Sequence, residues 1–120
     1  MARRLAADDS AAMRQMVGIT LSGAGHEVEQ AADGCEALAL AERKKFDLVI
    51  TDVNMPNMDG ITLVRELRAR PAYRYVPLLV LTTESTAQRK AEGKAAGATG
   101  WIVKPFTPER LIAVVARVIG

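Results

Sequence analysis

Leu48-Val49-Ile50-Thr51-Asp52-Val53-Asn54-Met55-Pro56-Asn57-Met58-Asp59-Gly60 is a short apolar run that closes on one carboxylate and passes into a segment rich in turn-forming residues. A run of this length with such flanks reads as a strand buried on both faces, which places Asp52 at its mouth. Three other apolar runs end in polar groups: Leu5-Ala6-Ala7 in Asp8-Asp9, Leu78-Leu79-Val80-Leu81 in Thr82, and Trp101-Ile102-Val103 in Lys104. If the runs are parallel strands, all of these polar groups share one edge of a sheet.

The intervening segments have helical spacing. Ser10 can cap a helix carrying Met13, Met16, Val17 and Leu21 on one side, ended by Gly23 and Gly25. Residues 26–31 read as a weak strand, and residues 36–45 as a second helix with Ala37, Leu38 and Ala41 inward. Residues 61–70 are helical through Ile61, Leu63, Val64 and Leu67, and Pro71 disfavours helix in the residue before it. Residues 85–96 are helical in composition but poor in large apolar residues, and Gly93 in their interior costs about 1 kcal/mol relative to Ala. This helix is predicted to be the most loosely held. Thr107-Pro108 pairs an N-cap with a first-turn proline, ahead of a buried face of Leu111, Ile112, Val115, Val118 and Ile119.

Five strands alternating with five helices predict an α/β fold in one domain over residues 1–120. Parallel crossovers are right-handed, and ligands in such sheets bind at the carboxyl ends of the strands. That is the edge where Asp8, Asp9, Asp52, Thr82 and Lys104 fall. The small residues of Leu5-Ala6-Ala7 predict weaker packing of the first strand.

Composition narrows the functional classes. The chain has 120 residues, 49% of them apolar, with 16 basic and 14 acidic side chains for a net charge of +2. The basic residues are dispersed, so no nucleic-acid footprint stands out. No apolar stretch approaches the roughly 20 residues that span a bilayer. A single cysteine, Cys35, excludes an internal disulfide, and no secretion signal is evident, which predicts a cytoplasmic protein. Cys35 and His26 have no partners at ligand or triad spacing and read as structural or surface residues.

Carboxylates converging on one edge repel, by about 4 kcal/mol per pair at 4 Å and an effective dielectric near 20. Lys104 supplies one compensating charge, and a hard divalent cation held by few carboxylates and water, Mg²⁺ above all, would supply the rest. The expected chemistry is phosphoryl transfer to a carboxylate: Asp52 as nucleophile, with Lys104 and the Thr82 hydroxyl holding phosphoryl oxygens.

Taken together, Asp8-Asp9-Ser10, Asp52 with Met55-Pro56 and Asp59-Gly60, Thr82-Thr83-Glu84, and Gly97-Ala98-Thr99-Gly100-Trp101 followed by Lys104-Pro105-Phe106 resemble the receiver domain of two-component response regulators. The resemblance spans nearly the whole chain. It is most similar to single-domain chemotaxis response regulators, through Met13-Arg14, Asn54 and Asn57-Met58-Asp59-Gly60. The resemblance implies a flavodoxin-like, doubly wound sheet in the order 2-1-3-4-5. It implies a histidine kinase as phosphodonor to Asp52, and Mg²⁺ held by Asp9, Asp52 and the Asn54 carbonyl, with Asp8 acting through water. Asn54 and Glu84 then tune the phosphoryl lifetime, and Thr82 and Trp101 shift together as a switch that alters the face of the fourth helix, fifth strand and fifth helix. A cis Lys104-Pro105 bond is also implied.

The implied protein is a monomeric phosphoacceptor switch with self-phosphorylation and self-dephosphorylation chemistry, not an enzyme. Its target would be the flagellar motor switch or another signalling protein; the alternative is a phosphorelay or phosphate-sink receiver with no motor target. Rival readings are weaker. A haloacid-dehalogenase-type phosphatase needs a second carboxylate where this chain has Asn54, and a flavodoxin-like nucleotide or flavin binder needs a Gly-rich turn where it has Asp8-Asp9-Ser10. A pseudo-receiver used only as an interaction surface would not need the full acidic and Lys set. Taken singly, Asp8-Asp9 reads as a solvated helix start, Lys104 as a surface lysine and Trp101 as packing.

Overall fold

Buried apolar runs separated by amphipathic segments settle into three layers, helices covering both faces of a parallel sheet. The computed structural model describes residues 3–83 and 85–119. Its elements are β1 (Arg3–Ala7), α1 (Ala11–Gly23), β2 (Glu27–Ala31), α2 (Gly34–Arg43), β3 (Leu48–Thr51), α3 (Gly60–Arg68), β4 (Leu78–Thr82), α4 (Ala87–Ala96), β5 (Gly100–Val103) and α5 (Pro108–Ile119), with a 3₁₀ turn at Pro71–Tyr73. All strand pairs are parallel, in the order β2-β1-β3-β4-β5. This is the flavodoxin-like arrangement expected from the sequence.

Side chains alternate across the strands and feed two cores. On one face Leu5, Ala7, Val49, Leu78 and Val80 pack with α2 and α3. On the other, Ala6, Leu48, Ile50, Leu79, Leu81 and Ile102 pack with Val17 and Leu21 of α1 and Leu111 and Val115 of α5. The first strand, where small residues predicted weak packing, is an interior strand between β2 and β3, with Leu5, Ala6 and Ala7 all buried.

Several boundaries differ from the sequence reading. α2 starts at Gly34 because the Asp33 side chain accepts from the Glu36 amide, and α3 starts at Gly60 because Asp59 caps the Thr62 amide. α4 starts at Ala87 because Thr86, not Ser85, takes the capping position on the Arg89 amide. On α5, Ile112 and Ile119 are 39% and 38% exposed, since a narrow stripe through Leu111 and Val115 meets the sheet. Of α4 only Gly93 and Ala96 are buried.

Two side chains tie loops to this frame. The Tyr73 hydroxyl, in a residue only 2% exposed, lies 2.8 Å and 2.9 Å from the Ala41 and Lys44 carbonyls and accepts the Phe46 amide at 3.2 Å. Arg68 donates to the carbonyls of Tyr73 at 2.7 Å, Val76 at 2.6 Å and Gly97 at 2.9 Å, and to the Thr99 hydroxyl at 3.1 Å. It joins the ends of α3, the 3₁₀ turn, α4 and the approach to β5.

Candidate functional site

Asp8, Asp52 and Lys104 each stand one position beyond a strand, where the ladder still holds the backbone. The Asp8 amide donates to Ala31 of β2 at 3.1 Å, the Asp52 amide to Ala7 of β1 at 2.9 Å, and the Lys104 amide to Thr82 of β4 at 2.8 Å. Strands β1, β3 and β5 therefore deliver Asp8, Asp52 and Lys104 to one edge in a fixed relation. Lys104 Nζ donates to Asp8 Oδ2 at 2.8 Å and to Asp52 Oδ2 at 3.3 Å, and the three side chains are 11%, 8% and 11% exposed in the order Lys104, Asp8, Asp52. Exposed Asp9 joins them: one carboxylate oxygen each from Asp8, Asp9 and Asp52 lie within 4.8 Å of one another.

The second oxygens are occupied by backbone. Asp8 Oδ1 accepts the Ser10 amide at 2.9 Å and Asp52 Oδ1 the Val53 amide at 2.7 Å, which orients both carboxylates. Three carboxylates against one ammonium leave the cluster short of positive charge. The donor set is all oxygen and anionic, which fits a hard divalent cation.

The surrounding loops are built to let the chain approach closely. A Cβ at Gly60 would collide with the Asp52 carbonyl oxygen, so only glycine lets α3 start against the strand end. Asn57 adopts a left-handed conformation (φ 70°), and its side-chain amide donates to Asp33 Oδ2 at 2.7 Å. The Glu36 amide and then Asn57 hold the Asp33 carboxyl below the usual carboxylate range. The Lys104-Pro105 bond is cis.

The edge thus gathers Asp8, Asp9, Asp52 and Lys104, with Thr82 fully buried at the end of β4. Asn54 is exposed two residues beyond Asp52. Trp101 is half-buried on β5 and packs on the α2/α3 core, its ring above Gly93 of α4. Glu84 lies outside the described residues. Sequence reasoning missed the orienting amides of Ser10 and Val53, which leave no side-chain signature. It also assigned no contact to Arg14, whose Nη1 donates to the Asp8 carbonyl at 2.6 Å from the first turns of α1.

A family model described as response regulator receiver domain matches residues 5–116. Among solved structures, chemotaxis protein CheY4 of Vibrio cholerae superposes with a TM-score of 0.94 at 55% identity, covering 98% of each chain. The receiver domain of sensor histidine kinase PA1611 from Pseudomonas aeruginosa, with a magnesium ion coordinated in its active-site cleft, superposes with a TM-score of 0.92 at 29% identity, over 99% of this chain and 98% of that one. Chemotaxis protein CheY-3 of Vibrio cholerae is 39% identical over 108 residues, 89% of this chain and 83% of that protein. The chain spans 13% of a gliding motility regulatory protein of Myxococcus xanthus that it matches and 91% of a chemotaxis protein CheY homolog of Campylobacter jejuni.

Proposed function

The chain belongs to the response regulator receiver domain family, and on that premise we propose that it is a phosphorylation switch whose acceptor is Asp52. The observation that carries this reading is the Lys104 ammonium shared between Asp8 and Asp52 at the mouths of three strands. A structural ion pair would need one carboxylate; this edge concentrates three around one cation.

In the proposed reaction an Asp52 carboxylate oxygen attacks the phosphorus of a phosphohistidine on a partner kinase. The new bond is Asp52 O–P, the bond broken is histidine N–P, and the released imidazole takes a proton from water. Asp52 Oδ1 is already held by the Val53 amide, so the carboxylate is oriented before the donor arrives. Lys104 and the Thr82 hydroxyl take phosphoryl oxygens as charge redistributes. Mg²⁺, held by Asp9, Asp52 and the Asn54 carbonyl with Asp8 behind them, would neutralise the phosphoryl oxygens. The magnesium seen in the PA1611 receiver supports that choice of ion. Asn54 and Glu84 tune the hydrolysis of the phosphoryl group.

Output runs through the face of α4, β5 and α5, where Val103 and Ile112 are exposed beside half-buried Trp101. Thr82 and Trp101 move together on phosphorylation and alter this face for a signalling target such as the flagellar motor switch. The protein acts in the cytoplasm as a monomer, without nucleic acid or membrane insertion, and turns over no free substrate beyond its own phosphoryl-aspartate. Among the described residues no helix is long and apolar enough to cross a membrane.

Incubation with acetyl phosphate and Mg²⁺, followed by intact mass, tests this reading. One phosphoryl group should add to the wild type, and none to Asp52→Asn or to the wild type in chelator. Equal addition to Asp52→Asn would remove Asp52 from its role; no addition from either acetyl phosphate or a phosphorylated histidine kinase would remove the switch itself.

A further inference from the structure

Asp9 is held differently from the two carboxylates beside it. Asp8 is fixed through three groups: its amide donates to Ala31 at 3.1 Å, Oδ1 accepts the Ser10 amide at 2.9 Å, and Oδ2 accepts Lys104 Nζ at 2.8 Å. The Asp52 carboxylate is held by the Val53 amide and by Lys104. Asp9 is exposed, so the direction of its side chain is set by the backbone from which it hangs.

That backbone begins at the peptide between Asp8 and Asp9. A peptide is planar, so whatever fixes the Asp8 carbonyl oxygen also fixes the Asp9 amide and Cα. Half-buried Arg14 does this, with Nη1 donating to that oxygen at 2.6 Å. Helical side chains lean toward the N-terminus, which carries the guanidinium from the fourth residue of α1 back over the turn. The Arg14 amide donates to the Ser10 carbonyl at 3.0 Å, and Ser10 Oγ accepts the Met13 amide at 3.2 Å. The turn of residues 8–10 is thus strapped to α1 at both ends, with Asp9 between the straps.

Helix stability does not explain an arginine here, because a cation in the first turn opposes the helix dipole. Its charge near three carboxylates would offset part of their repulsion and, by the same sign, compete with a divalent cation. We propose, on the reading of this edge as a Mg²⁺-dependent phosphoryl site, that Arg14 is a positioning residue: its bond to the Asp8 carbonyl locks the peptide that presents the Asp9 carboxylate to the cation beside Asp52. Partners that orient a ligand in this way change metal affinity when they are removed. The bond is a single one, so a lysine ammonium can supply it without the guanidinium fork.

Mg²⁺ alone, titrated into the isotope-labelled protein and followed by NMR at the amides of Asp9, Ser10 and Val53, tests this. Arg14→Met should weaken Mg²⁺ binding by about tenfold, and Arg14→Lys should restore most of the loss. In an Asp9→Asn background Arg14→Met should cost less than about twofold, because the carboxylate it positions is gone. Arg14→Gln takes the same place in the test if amide dispersion shows that Arg14→Met disturbs the fold. A charge acting by repulsion alone has the opposite sign, so Mg²⁺ binding by Arg14→Met as tight as the wild type or tighter would overturn the positioning role. An undiminished cost in the Asp9→Asn background, or a loss in Arg14→Lys as large as in Arg14→Met, would overturn it too. Site amides of the wild type that do not respond to Mg²⁺ would instead overturn the metal reading itself, and the role of Arg14 with it.

Discussion

The Trp101 ring occupies the space that a side chain at Gly93 would need: a Cβ built there lies 2.5 Å from Cζ3 and 3.0 Å from Cε3. The glycine that weakens α4 by propensity is thus the one that lets a large aromatic residue sit between α4 and β5. A smaller ring would have left room for alanine.

Gly93→Ala is therefore expected to destabilise the protein despite a gain in helix propensity of about 1 kcal/mol. Urea unfolding should show a lower midpoint, with altered Trp101 emission. In a Trp101→Phe background the same change should cost less, because the outer indole atoms are gone; an equal cost in both backgrounds would separate the two residues.

Asp9→Asn should raise the unfolding midpoint in chelator, since it removes one of three converging carboxylates and Lys104 pairs with the other two. The gain is a fraction of the roughly 4 kcal/mol repulsion of a pair at 4 Å, cut by the exposure of Asp9. Added Mg²⁺ should reverse the order, stabilising the wild type by about 2.7 kcal/mol at a hundred times its dissociation constant and the variant much less. Thermal melts with and without Mg²⁺ read both effects.

Tyr73→Phe should cost about 1–3 kcal/mol, because it strips a buried hydroxyl from two carbonyls and an amide. The parent has a pH signature as well. Burial first, and the Asp47 charge with it, raise the Tyr73 pKa above 10.0, against the Phe46 amide. The folded state holds the proton longer than the unfolded chain, so this contribution is complete below about pH 10 and is lost as pH rises through the raised value. Stability measured against pH should fall on the alkaline side in the wild type and fall less in Tyr73→Phe.

Gly60→Ala should be the most damaging single methyl, because the added carbon meets the Asp52 backbone, which cannot rotate away. A loss of about 3 kcal/mol or more is expected, within the range of overpacking and strained-backbone changes. Phosphorylation of the folded fraction should slow as well, since the displaced atom belongs to Asp52. Chemical denaturation and acetyl phosphate kinetics test the two parts separately.

Strand ends were legible because strands buried on both faces read as unbroken apolar runs, and each run ended on a polar residue at the same edge of the sheet. Asp8, Asp52, Thr82 and Lys104 followed from that alone. Arg4 was not legible: a charge ahead of Leu5 looks like the outside of a strand, yet its side chain is only 4% exposed. Tyr73 sits in a Pro- and Arg-rich connection with no period to betray a core position. The α2 and α4 starts slipped because several adjacent residues could cap, and at α4 it is Thr86 that accepts the Arg89 amide. Asp59-Gly60 was read as part of a motif, whereas its physical reason is a contact with the Asp52 carbonyl that no local pattern displays.

Arg68 bonds the carbonyl of Gly97, the residue that closes α4, while it also grips Tyr73, Val76 and Thr99. Any rearrangement of α4 that keeps these bonds must swing the helix about Gly97 like a hinged lever instead of sliding it as a block. Travel then grows along the helix and is greatest at Ala87, about 15 Å from the pin at 1.5 Å per residue.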